Sequence, residues 1–406
     1  MPSQNPGFLP SVLLIHNHYR IPGGEDTVFS AERDFLQSHG HRVIVYERTN
    51  AEPAGAWQKL TMALSALYNR RAAREVRALI RREKPDIVHI HNTLLCISPS
   101  VFRAAKAEGV PVVMTLHNFR LLCPNGILMR DGHICEDCPH RGLLCAVKHK
   151  CYRGSTAQSL VVAAMLALHR RLGTWQGVWA IAPTEFDREK FLQYNQKLKL
   201  LTPERLLVKP HAAACAVRPP LPISQRRGWL FAGRLEELKG ILPLLQAWKL
   251  LAWNEPLFVA GDGPQSTQCS FFAHTNGLEN VRFLGRLAPE VLTEYQRRVK
   301  AVIVPSLCYE SFGLAAVESL MQGTPVLGSD LGNIGAMIRP GQNGLRFAAG
   351  DPRAMAEAVQ KLNEMLPTLC PKAIQSHAAA QFAPTQNYHA LLQIYRRALQ
   401  AQQEEP

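Results

Sequence analysis

Two glutamates eight residues apart, Glu310 and Glu318, lie on either side of a predicted helix start. Residues 301–305 form an apolar run that predicts a buried strand just before them. Amide groups in the first turn of a helix have no partner within the helix and favour phosphate oxygens. A carboxylate one to two turns further on can accept hydrogen bonds from a ribose diol. The alternative, a loop carboxylate followed by a surface helix residue, stays open. The helix is predicted to open with Ser311, Phe312 and Gly313.

A second predicted strand end, FAGRLEELKG, carries Arg234 and Lys239 on the loop that enters a helix. Two cations there can neutralise a diphosphate and stabilise it as a leaving group, which other folds achieve with a bound metal. A solvated basic loop is the alternative. Gly261 lies in a tight turn after another predicted strand, where an ordinary glycine turn is the simpler interpretation.

In the first half of the chain, Gly23 and Gly24 lie between the first predicted strand and its helix, where glycines allow a ligand to approach the backbone. His117 ends another strand and can hydrogen-bond a sugar hydroxyl or act as acid or base, unless it simply caps the strand. His89 and His91 alternate with apolar residues and therefore share one face of a strand. Packing is the expected role of His89, and the role of His91 stays open.

Five of the ten cysteines fall within residues 123–151, a polar stretch that interrupts the pattern of strands and helices. It contains a C-x-x-C knuckle with Cys123 before it and Cys151 after it, so four thiolates can close a structural zinc site, with Cys145 as the spare. Reduced buried thiols and a labile disulfide are the alternatives. The candidate zinc ligands are Cys123, Cys135, Cys138 and Cys151.

These residues can act together only if parallel sheets collect the strand ends on which they lie. Short apolar runs alternate with helical patterns along both halves of the chain, which predicts two parallel sheets with crossover helices. Strands are predicted at residues 11–16, 42–46, 85–91, 110–117, 177–183, 206–209, 228–232, 256–260, 280–284, 301–305 and 325–328. Helices are predicted at residues 27–39, 70–83, 156–172, 185–194, 241–251, 290–299, 314–321 and 386–401.

The chain has 406 residues, which fits two domains better than one core. We predict a first domain over residues 1–215, with residues 123–151 as its cysteine-rich insertion. A second domain is predicted over residues 216–385. Residues 386–406 are predicted to form a last helix, packing on the first domain, and a tail.

A composition of 47% hydrophobic and 19% charged residues is typical of a globular protein. The net charge of +14 favours anionic partners: phosphates, nucleic acid or an acidic membrane. No apolar run approaches ~18 residues, and no basic region precedes the first one, so neither a spanning helix nor a signal peptide is expected. We therefore expect a cytoplasmic protein with mostly reduced cysteines. No recognised nucleic-acid-binding module is found, so no nucleic acid partner is expected.

Together these segments resemble the retaining glycosyltransferases of family 4 over nearly the whole chain. The strongest element is ESFGLAAVE, which runs from Glu310 to Glu318 and is followed by GTPVLGSDLGNIGAMI. Supporting elements are PGGEDTV, PDIVHIHN, FAGRLEELKG, VAGDGP and TLHNFRLLCPNG; the cysteine insertion matches a subgroup only. The resemblance implies the α/β GT-B fold, with two Rossmann-like domains facing across a cleft and a C-terminal helix that crosses back to the first domain.

The resemblance implies that residues 1–215 form an acceptor-side Rossmann-like domain and residues 216–385 a domain that binds the nucleotide-sugar donor. It also implies roles for the candidate residues of the second domain. Glu318 should bind the donor ribose and Glu310 the donor sugar, while Arg234 and Lys239 should hold the diphosphate. Ser311 and Gly261 belong to the same predicted donor-binding set. Backbone N–H groups should reach the phosphates from Phe312, Gly313 and Leu314.

In the first domain, the resemblance places Gly23 and Gly24 on the phosphate and acceptor side and His117 at the hydroxyls of the sugar. It implies transfer with retention at the anomeric carbon, by front-face departure of a nucleoside diphosphate whose own oxygen helps to deprotonate the acceptor. No cofactor is expected for catalysis, and the chain contains no Asp-x-Asp metal motif. A UDP- or GDP-linked donor and a sugar or lipid-linked sugar acceptor are the expected partners, in polysaccharide or glycolipid assembly.

The chain departs from the family pattern at Lys209-Pro210-His211, where relatives usually have an Asn after the proline. Two other functions stay open: a nucleotide-sugar epimerase of the same fold, and a basic zinc-containing nucleic-acid-binding protein. The predicted helices at residues 70–83 and 156–172 offer basic and apolar faces, which suggests peripheral docking to the inner face of the cell membrane. A solvated basic helix over the core is the alternative.

Overall fold

The structure is a computed structural model that describes residues 9–19, 23–50, 55–213 and 215–404, with the side chains of residues 56–60 excluded. Two parts of the predictions lie outside the described residues. They are Pro22 of the predicted glycine loop and the chain ends at residues 1–8 and 405–406. The chain divides into two compact units. The first contains residues 1–126, 136–212 and 384–406, and the second contains residues 127–135 and 213–383.

Each unit is built on a six-stranded sheet in which all described pairs of strands are parallel. The strands are β1 Val12–His18, β2 Val43–Thr49, β3 Ile87–Ile90, β4 Val112–Thr115, β5 Met129–Arg130, β6 His133–Ile134, β7 Trp179–Ala182, β8 Leu206–Val208, β9 Trp229–Ala232, β10 Leu257–Ala260, β11 Val281–Gly285, β12 Ala301–Val304, β13 Val326–Ser329 and β14 Gly344–Phe347. The first sheet has the order β2-β1-β3-β4-β7-β8 and the second β11-β10-β9-β12-β13-β14.

Helices connect the strands and cover the sheets, which makes both units Rossmann-like and confirms the predicted α/β class. The helices are α1 Gly24–Ser38, α2 Ala56–Leu67, α3 Arg70–Glu83, α4 Ser100–Ala107, α5 Asp137–Arg141, α6 Leu144–Lys148, α7 Thr156–Arg171, α8 Glu185–Leu198, α9 Ile241–Leu251, α10 Ser266–Thr275, α11 Pro289–Arg298, α12 Leu314–Met321, α13 Gly332–Met337, α14 Pro352–Met365, α15 Pro371–Phe382 and α16 Pro384–Glu404. Short 3₁₀ helices occur at Pro203–Arg205, Ile223–Gln225, Glu237–Lys239 and Leu366–Thr368.

The central strands are apolar along their whole length because helices cover both faces of a parallel sheet. β12 reads AVIV with all four residues buried, and it pairs with β9 and β13 near the middle of its sheet. β3 reads IVHI and is also buried throughout, so His89 is enclosed in the core of the first unit. A buried imidazole must find hydrogen-bond partners there, which bears on the site below.

The last helix, α16, belongs to the first unit although it follows the whole second unit in the sequence. Tyr388, Leu391 and Tyr395 of this helix pack with Val12 and Phe29 in the core of the first unit. Tyr388 Oη lies 2.8 Å from His41 Nε2, which adds a buried hydrogen bond to the apolar contact. The predicted packing of the last helix on the first domain is therefore confirmed.

The insertion is more regular than the sequence predicts. β5 and β6 form a small antiparallel hairpin within residues 127–135, a segment that groups with the second unit. The short helices α5 and α6 follow and belong to the first unit. None of the helices in the described part of the chain has the length and apolar character that spanning a bilayer requires.

One glycine at the start of α9 controls how closely the loop after β9 approaches the loop after β12. Gly240 has φ +67°, and a Cβ added there would lie 1.9 Å from the carbonyl oxygen of Pro305. Backbone oxygen cannot yield to a methyl group, so only glycine fits this position. Lys239, the residue before it, is thereby fixed beside the end of β12.

Alanine in a left-handed conformation usually costs about 1–2 kcal/mol. We expect Gly240→Ala to lower the free energy of unfolding of the second unit by about 1–3 kcal/mol more than this, because the added methyl group clashes with the Pro305 carbonyl. The matched control is Gly277→Ala, because Gly277 has φ +64° and nothing lies within 4 Å of its added Cβ. Urea unfolding followed by circular dichroism measures both variants. Equal losses of stability would show that the close approach to Pro305 costs nothing.

Candidate functional site

The predicted donor-binding residues of the second unit converge at the carboxyl ends of three adjacent strands. Arg234 and Lys239 follow β9, Gly261 follows β10, and Glu310 follows β12. Because β10, β9 and β12 are neighbours in a parallel sheet, their carboxyl ends meet at one edge. Ligands of open α/β sheets bind at such an edge. The sheet therefore brings these four predicted residues together.

Glu310 lies in an ion pair that the sheet assembles from two separate loops. Its Oε1 atom is 2.5 Å from Lys239 Nζ and accepts a 2.6 Å hydrogen bond from Ser306 Oγ. Burial acts to raise the pKa of Glu310, but the Lys239 ammonium outweighs it and holds the pKa below its usual range. The pKa of Lys239 is raised by the same partner, against the effect of burial. Both groups are therefore charged at neutral pH.

Asn333 fixes the backbone of the loop between β12 and α12. Its Nδ2 group donates to the carbonyl oxygens of Glu310 at 2.6 Å and Ser311 at 2.8 Å. Gly313, at φ +81°, is the N-cap of α12, and Phe312 beside it is buried. The first N–H groups of α12 lack partners within the helix, so the loop presents an anion-binding helix start.

Glu318 lies on α12, one turn into the helix, and is only partly exposed. Burial raises its pKa, although Gln296 Nε2 donates to Glu318 Oε2 at 3.2 Å and opposes the shift. Gln296 itself is fully buried on α11. A carboxylate held in this way is ready to accept hydrogen bonds from a polar ligand that enters the site.

Gly261 and Arg234, two of the four predicted residues at this edge, differ in how closely their surroundings confine them. Gly261 has φ +142°, and an added Cβ would lie 1.8 Å from the carbonyl oxygen of Gly233, so the loops after β9 and β10 are in direct backbone contact. Arg234 follows Gly233, and its side chain is 48% exposed, 3.6 Å from Glu236. Its guanidinium can therefore reach a bound anion without leaving a buried partner behind.

In the first unit, Gly23 is the N-cap of α1 and Gly24 is the first residue of that helix. Among the described residues, nothing lies within 4 Å of a Cβ added at Gly23. Asp26 closes the turn by accepting the Gly23 N–H at 2.9 Å through Oδ2. Its Oδ1 atom lies 3.0 Å from His16 Nε2 and 2.9 Å from His18 Nδ1, which joins the end of β1 to the start of α1.

His117 lies after β4 and close to the same helix start. The neighbouring residue Asn118 donates through Nδ2 to Glu25 Oε1 at 2.5 Å, and Glu25 follows Gly24 directly. A cavity of about 70 Å³ lies beside His117 and is lined by Asn92 among others. The structure thus brings Gly23, Gly24 and His117 to one edge of the first sheet.

His89 and His91 are both buried, and each has a defined set of partners. His89 Nδ1 lies 2.8 Å from Tyr395 Oη, and His89 Nε2 lies 2.8 Å from Thr115 Oγ1. The packing role predicted for His89 is therefore confirmed, with hydrogen bonds that the strand pattern did not show. His91 Nδ1 lies 3.0 Å from His117 Nε2, so His91 contacts a predicted site residue directly.

Among the described residues, two groups of three side chains could each hold a metal ion. Within each group the potential ligand atoms lie within 4.8 Å of one another. In the first, Asp26 already accepts hydrogen bonds from Gly23, His16 and His18, which explains the group without an ion. In the second, Glu32 Oε2 is 3.2 Å from the Lys209 ammonium, which supplies the positive charge that a metal would bring. The members of the second group are Glu32, His89 and His91.

Three cysteines of the insertion, Cys123, Cys138 and Cys151, lie close to one another within the first unit. Cys138 forms a side-chain hydrogen bond with Cys123 and lies near Cys151, and this bond, burial and both neighbours raise its pKa. A thiol with a raised pKa stays protonated unless a metal replaces its proton. The four-cysteine zinc site, which includes Cys135, stays a prediction.

The sequence did not point to the side chains that hold the predicted residues in place. Ser306, Gln296 and Asn333 support the two glutamates. Gln296 and Asn333 lie 22 and 23 residues from their partners, whereas Ser306 lies in the same loop as Glu310 but carries no recognisable motif. Glu32 and Lys209 meet from positions 177 residues apart. The sequence places Lys209 directly before Pro210, but nothing in that pattern indicates which residue the lysine would pair with.

Two family models match the chain. Residues 22–197 match the model described as Glycosyltransferase Family 4, and residues 226–364 match the one described as Glycosyl transferases group 1. The chain belongs to glycosyltransferase family 4. Because the two matches fall on the two Rossmann-like units, they also account for the GT-B fold of this family 4 chain.

Curated relatives match this family 4 chain over part of its length. A glycogen synthase of Mycobacterium tuberculosis is 34% identical over 137 residues, which is 33% of each protein. The D-rhamnosyltransferase WbpZ of Pseudomonas aeruginosa is 32% identical over 157 residues, 36% of this chain and 41% of WbpZ. The chain thus spans about a third to two fifths of the length of these relatives.

Solved structures resemble the chain over nearly its whole length. A sucrose-phosphate synthase of Thermosynechococcus elongatus superimposes with a TM-score of 0.67 at 18% identity, covering 97% of this chain and 100% of that one. HepE of Anabaena, solved in complex with UDP and glucose, gives a TM-score of 0.64 at 16% identity, covering 95% and 98%. At these identities the likeness shows the fold.

The histidines of the first unit predict a loss of stability in mild acid. Burial is the largest cause that lowers the pKa to about 4 for His16, His91 and His169, and to about 3 for His211. In the unfolded chain these groups have a pKa of about 6.5. Between these values only the unfolded state binds the protons, so stability falls as the pH drops from about 6.5 towards 4.

Each such histidine should contribute about 1.4 kcal/mol per pH unit within that window. The test variant is His169→Gln, because His169 is fully buried and hydrogen-bonded to Thr174 and to the carbonyl of Leu67, away from the predicted site residues. Urea unfolding at pH 6.5 and 5.0 measures the free energy of unfolding. Between these two pH values it should fall less in the variant than in the wild type, and the difference should equal the contribution of one histidine. Parallel curves for variant and wild type would contradict the assignment.

Proposed function

We propose that this protein is a retaining glycosyltransferase that moves a sugar from a nucleoside diphosphate sugar to a sugar or lipid-linked acceptor. The observation that carries the proposal is the arrangement of Lys239, Glu310 and Glu318 at the carboxyl edge of the second sheet. One cation, one charged carboxylate and one shielded carboxylate surround the start of α12. Such a site suits a ligand that combines a diphosphate with sugar hydroxyls.

The diphosphate is assigned to Arg234, Lys239 and the first N–H groups of α12. Arg234 is half exposed and Lys239 is 30% exposed, so both ammonium and guanidinium groups can contact a ligand while remaining charged. Helix N–H groups add further donors that need no counter-ion. Together they stabilise the negative charge that develops on a departing nucleoside diphosphate.

The sugars of the donor are assigned to the carboxylates. Glu318 is held by Gln296 and is proposed to accept hydrogen bonds from the ribose diol. Glu310 is proposed to contact the transferred sugar, with Lys239 and Ser306 fixing its orientation. His117 is proposed to bind a hydroxyl of the same sugar.

In the proposed reaction the bond from the anomeric carbon to the diphosphate breaks as the acceptor oxygen bonds to the same face. The acceptor proton passes to an oxygen of the departing diphosphate. This route needs no separate base, which fits a site whose charged carboxylate, Glu310, is already paired with Lys239. Metal-independent transfer is proposed on the same ground, since Arg234 and Lys239 supply the positive charge.

Several finer assignments are part of the same proposal. HepE was solved with UDP, and the catalytic domain of Starch Synthase IV from Arabidopsis thaliana with ADP, so similar folds bind different bases. We propose a UDP- or GDP-linked donor and a role in polysaccharide or glycolipid assembly. A cytoplasmic location with peripheral docking to an anionic membrane is proposed from the basic helix α3, and a structural zinc from the cysteine insertion.

The donor is tested by thermal shift with UDP, GDP, ADP and their sugars. A ligand at a hundred times its Kd should add about 2.7 kcal/mol to the stability of the wild type. Glu318→Ala should abolish the shift because the ribose loses its acceptor. The control Glu357→Ala, on the exposed side of α14, should keep the full shift.

No shift with any nucleotide, in wild-type protein that unfolds cooperatively, would overturn the proposed donor site. A shift that survives Glu318→Ala would keep the donor and reject the role of Glu318. Both outcomes are read from the same set of melting curves.

Retention is tested with the donor found in this way and a lipid-linked sugar acceptor. We expect the anomeric proton of the product to show the same configuration as the donor by ¹H NMR, with no loss of rate in EDTA. An inverted product would contradict the proposed mechanism. Incubation with donor alone provides the control, because conversion to an epimeric sugar would instead indicate the epimerase.

A further inference from the structure

His117 is the end of a buried line of polar side chains that runs into the first unit. His117 Nε2 lies 3.0 Å from His91 Nδ1, and His91 Nε2 lies 3.3 Å from Glu32 Oε1. His91 and Glu32 are less than a tenth exposed, as is His117. His117 lies just after β4, His91 directly follows β3, and Glu32 is on α1, so the sheet and one helix set their spacing.

Glu32 is the charged end of this line. Its Oε2 atom lies 3.2 Å from Lys209 Nζ, and Lys209 Nζ donates in turn to Asn387 Oδ1 of α16 at 3.0 Å. Burial acts to raise the pKa of Glu32, but Lys209 and His89 outweigh it and hold the pKa well below the usual range. Glu32 is therefore a carboxylate, which can only accept hydrogen bonds.

The carboxylate decides which nitrogen of His91 carries the proton. A lone pair on His91 Nε2 would face the negative oxygen of Glu32 at 3.3 Å, whereas an N–H group there is attracted to it. Neither His91 Nε2 nor Glu32 Oε1 has a partner with hydrogen-bond geometry among the described residues, so their 3.3 Å contact acts through electrostatic attraction; the same Oε1 atom also lies 3.0 Å from His89 Nδ1. Burial lowers the pKa of His91 to about 4, so the ring is neutral and holds a single proton. With that proton on Nε2, His91 Nδ1 is an acceptor.

The same reasoning then applies to His117. Its Nε2 atom must donate to His91 Nδ1, because two lone pairs 3.0 Å apart would repel each other. Burial and the neighbouring His211 lower the pKa of His117 well below its usual value, so this ring is also neutral. No hydrogen bond joins His117 Nδ1 to any described residue, which leaves this lone pair for a ligand.

We propose that Glu32 and His91 are positioning residues that fix the proton of His117 on Nε2 and present its Nδ1 atom as a hydrogen-bond acceptor. Such a group recognises an O–H or N–H donor and repels the oxygens of a phosphate or carboxylate. If the proposed function holds, the ligand group that His117 recognises is a sugar hydroxyl. His117 then acts neither as the general acid nor as a phosphate ligand.

The proton assignment is tested on ligand-free wild-type protein labelled with ¹⁵N-histidine. Long-range ¹H–¹⁵N correlation spectra at pH 7 should show His117 and His91 as neutral rings with the proton on Nε2 in about nine-tenths or more of the molecules. A scalar coupling across the hydrogen bond should join the His117 Nε2–H to His91 Nδ1. A proton on His91 Nδ1, or a positively charged ring at either position, would overturn the proposal.

The positioning role is tested by His91→Phe, which keeps an aromatic ring of similar shape but removes the acceptor for His117. The ratio of the Kd for bare nucleoside diphosphate to the Kd for the nucleoside diphosphate sugar should fall by about tenfold, because only the sugar contacts His117. The matched control is His41→Phe, another buried histidine of the same unit that bonds to Pro10 and Tyr388. It should leave the ratio unchanged.

These outcomes separate the inference from the proposed function. Absence of nucleotide binding in the wild type would reject the proposed function and leave the proton assignment to the spectra. An equal loss of both affinities in His91→Phe would show a merely structural role and overturn the positioning of His117. A variant that fails to fold shifts the decision to the wild-type coupling between His117 and His91.

Discussion

A carboxylate shielded from water is costly unless a cation pairs with it, and each unit of this protein places one such ion pair near the carboxyl edge of its sheet. In the second unit, Glu310 pairs with Lys239 at 2.5 Å. In the first unit, Glu32 pairs with Lys209 at 3.2 Å. Removing the lysine of either pair would leave a largely shielded carboxylate without its counter-ion. The loops that bring the partners together are therefore constrained by charge as well as by packing.

The two pairs serve different purposes because their exposure differs. The Lys239 side chain is 30% exposed, so it can hold Glu310 and still meet a ligand at the open edge of the sheet. The Lys209 side chain is 1% exposed and is enclosed by Glu32 and Asn387, which excludes direct contact with a ligand. Lys209 instead keeps Glu32 ionised, and the Glu32 carboxylate acts on the neighbouring histidines. One pair is thus suited to binding, and the other to fixing the protonation of its neighbours.

The strands and several helices could be predicted from the sequence because their signals are local. The helices at residues 70–83, 241–251 and 314–321 have the predicted bounds, since an apolar stripe and the flanking residues mark both ends of each. The edge strand β14 was missed because it is only four residues long and begins at Gly344, a residue that is rare in strands. Helix α14 was also missed, although an Asp followed by a Pro is a sequence signal of a helix start. In the structure Asp351 is the N-cap and accepts hydrogen bonds from two N–H groups, and Pro352 is the first helical residue.

The sequence by itself determined the α/β class, the family motif from Glu310 to Glu318 and the loop that carries Arg234 and Lys239, because these depend on residue type and on spacing along one segment. Only the tertiary structure decided which residues hold them. Gln296 reaches Glu318 across 22 positions, and Asn333 reaches Glu310 across 23. Lys209 reaches Glu32 across 177 positions, and the last helix supplies Asn387 and Tyr395 to the first unit. The physical reason is that a buried polar group takes whichever partner the packed elements bring within hydrogen-bond distance, and no local pattern encodes that choice.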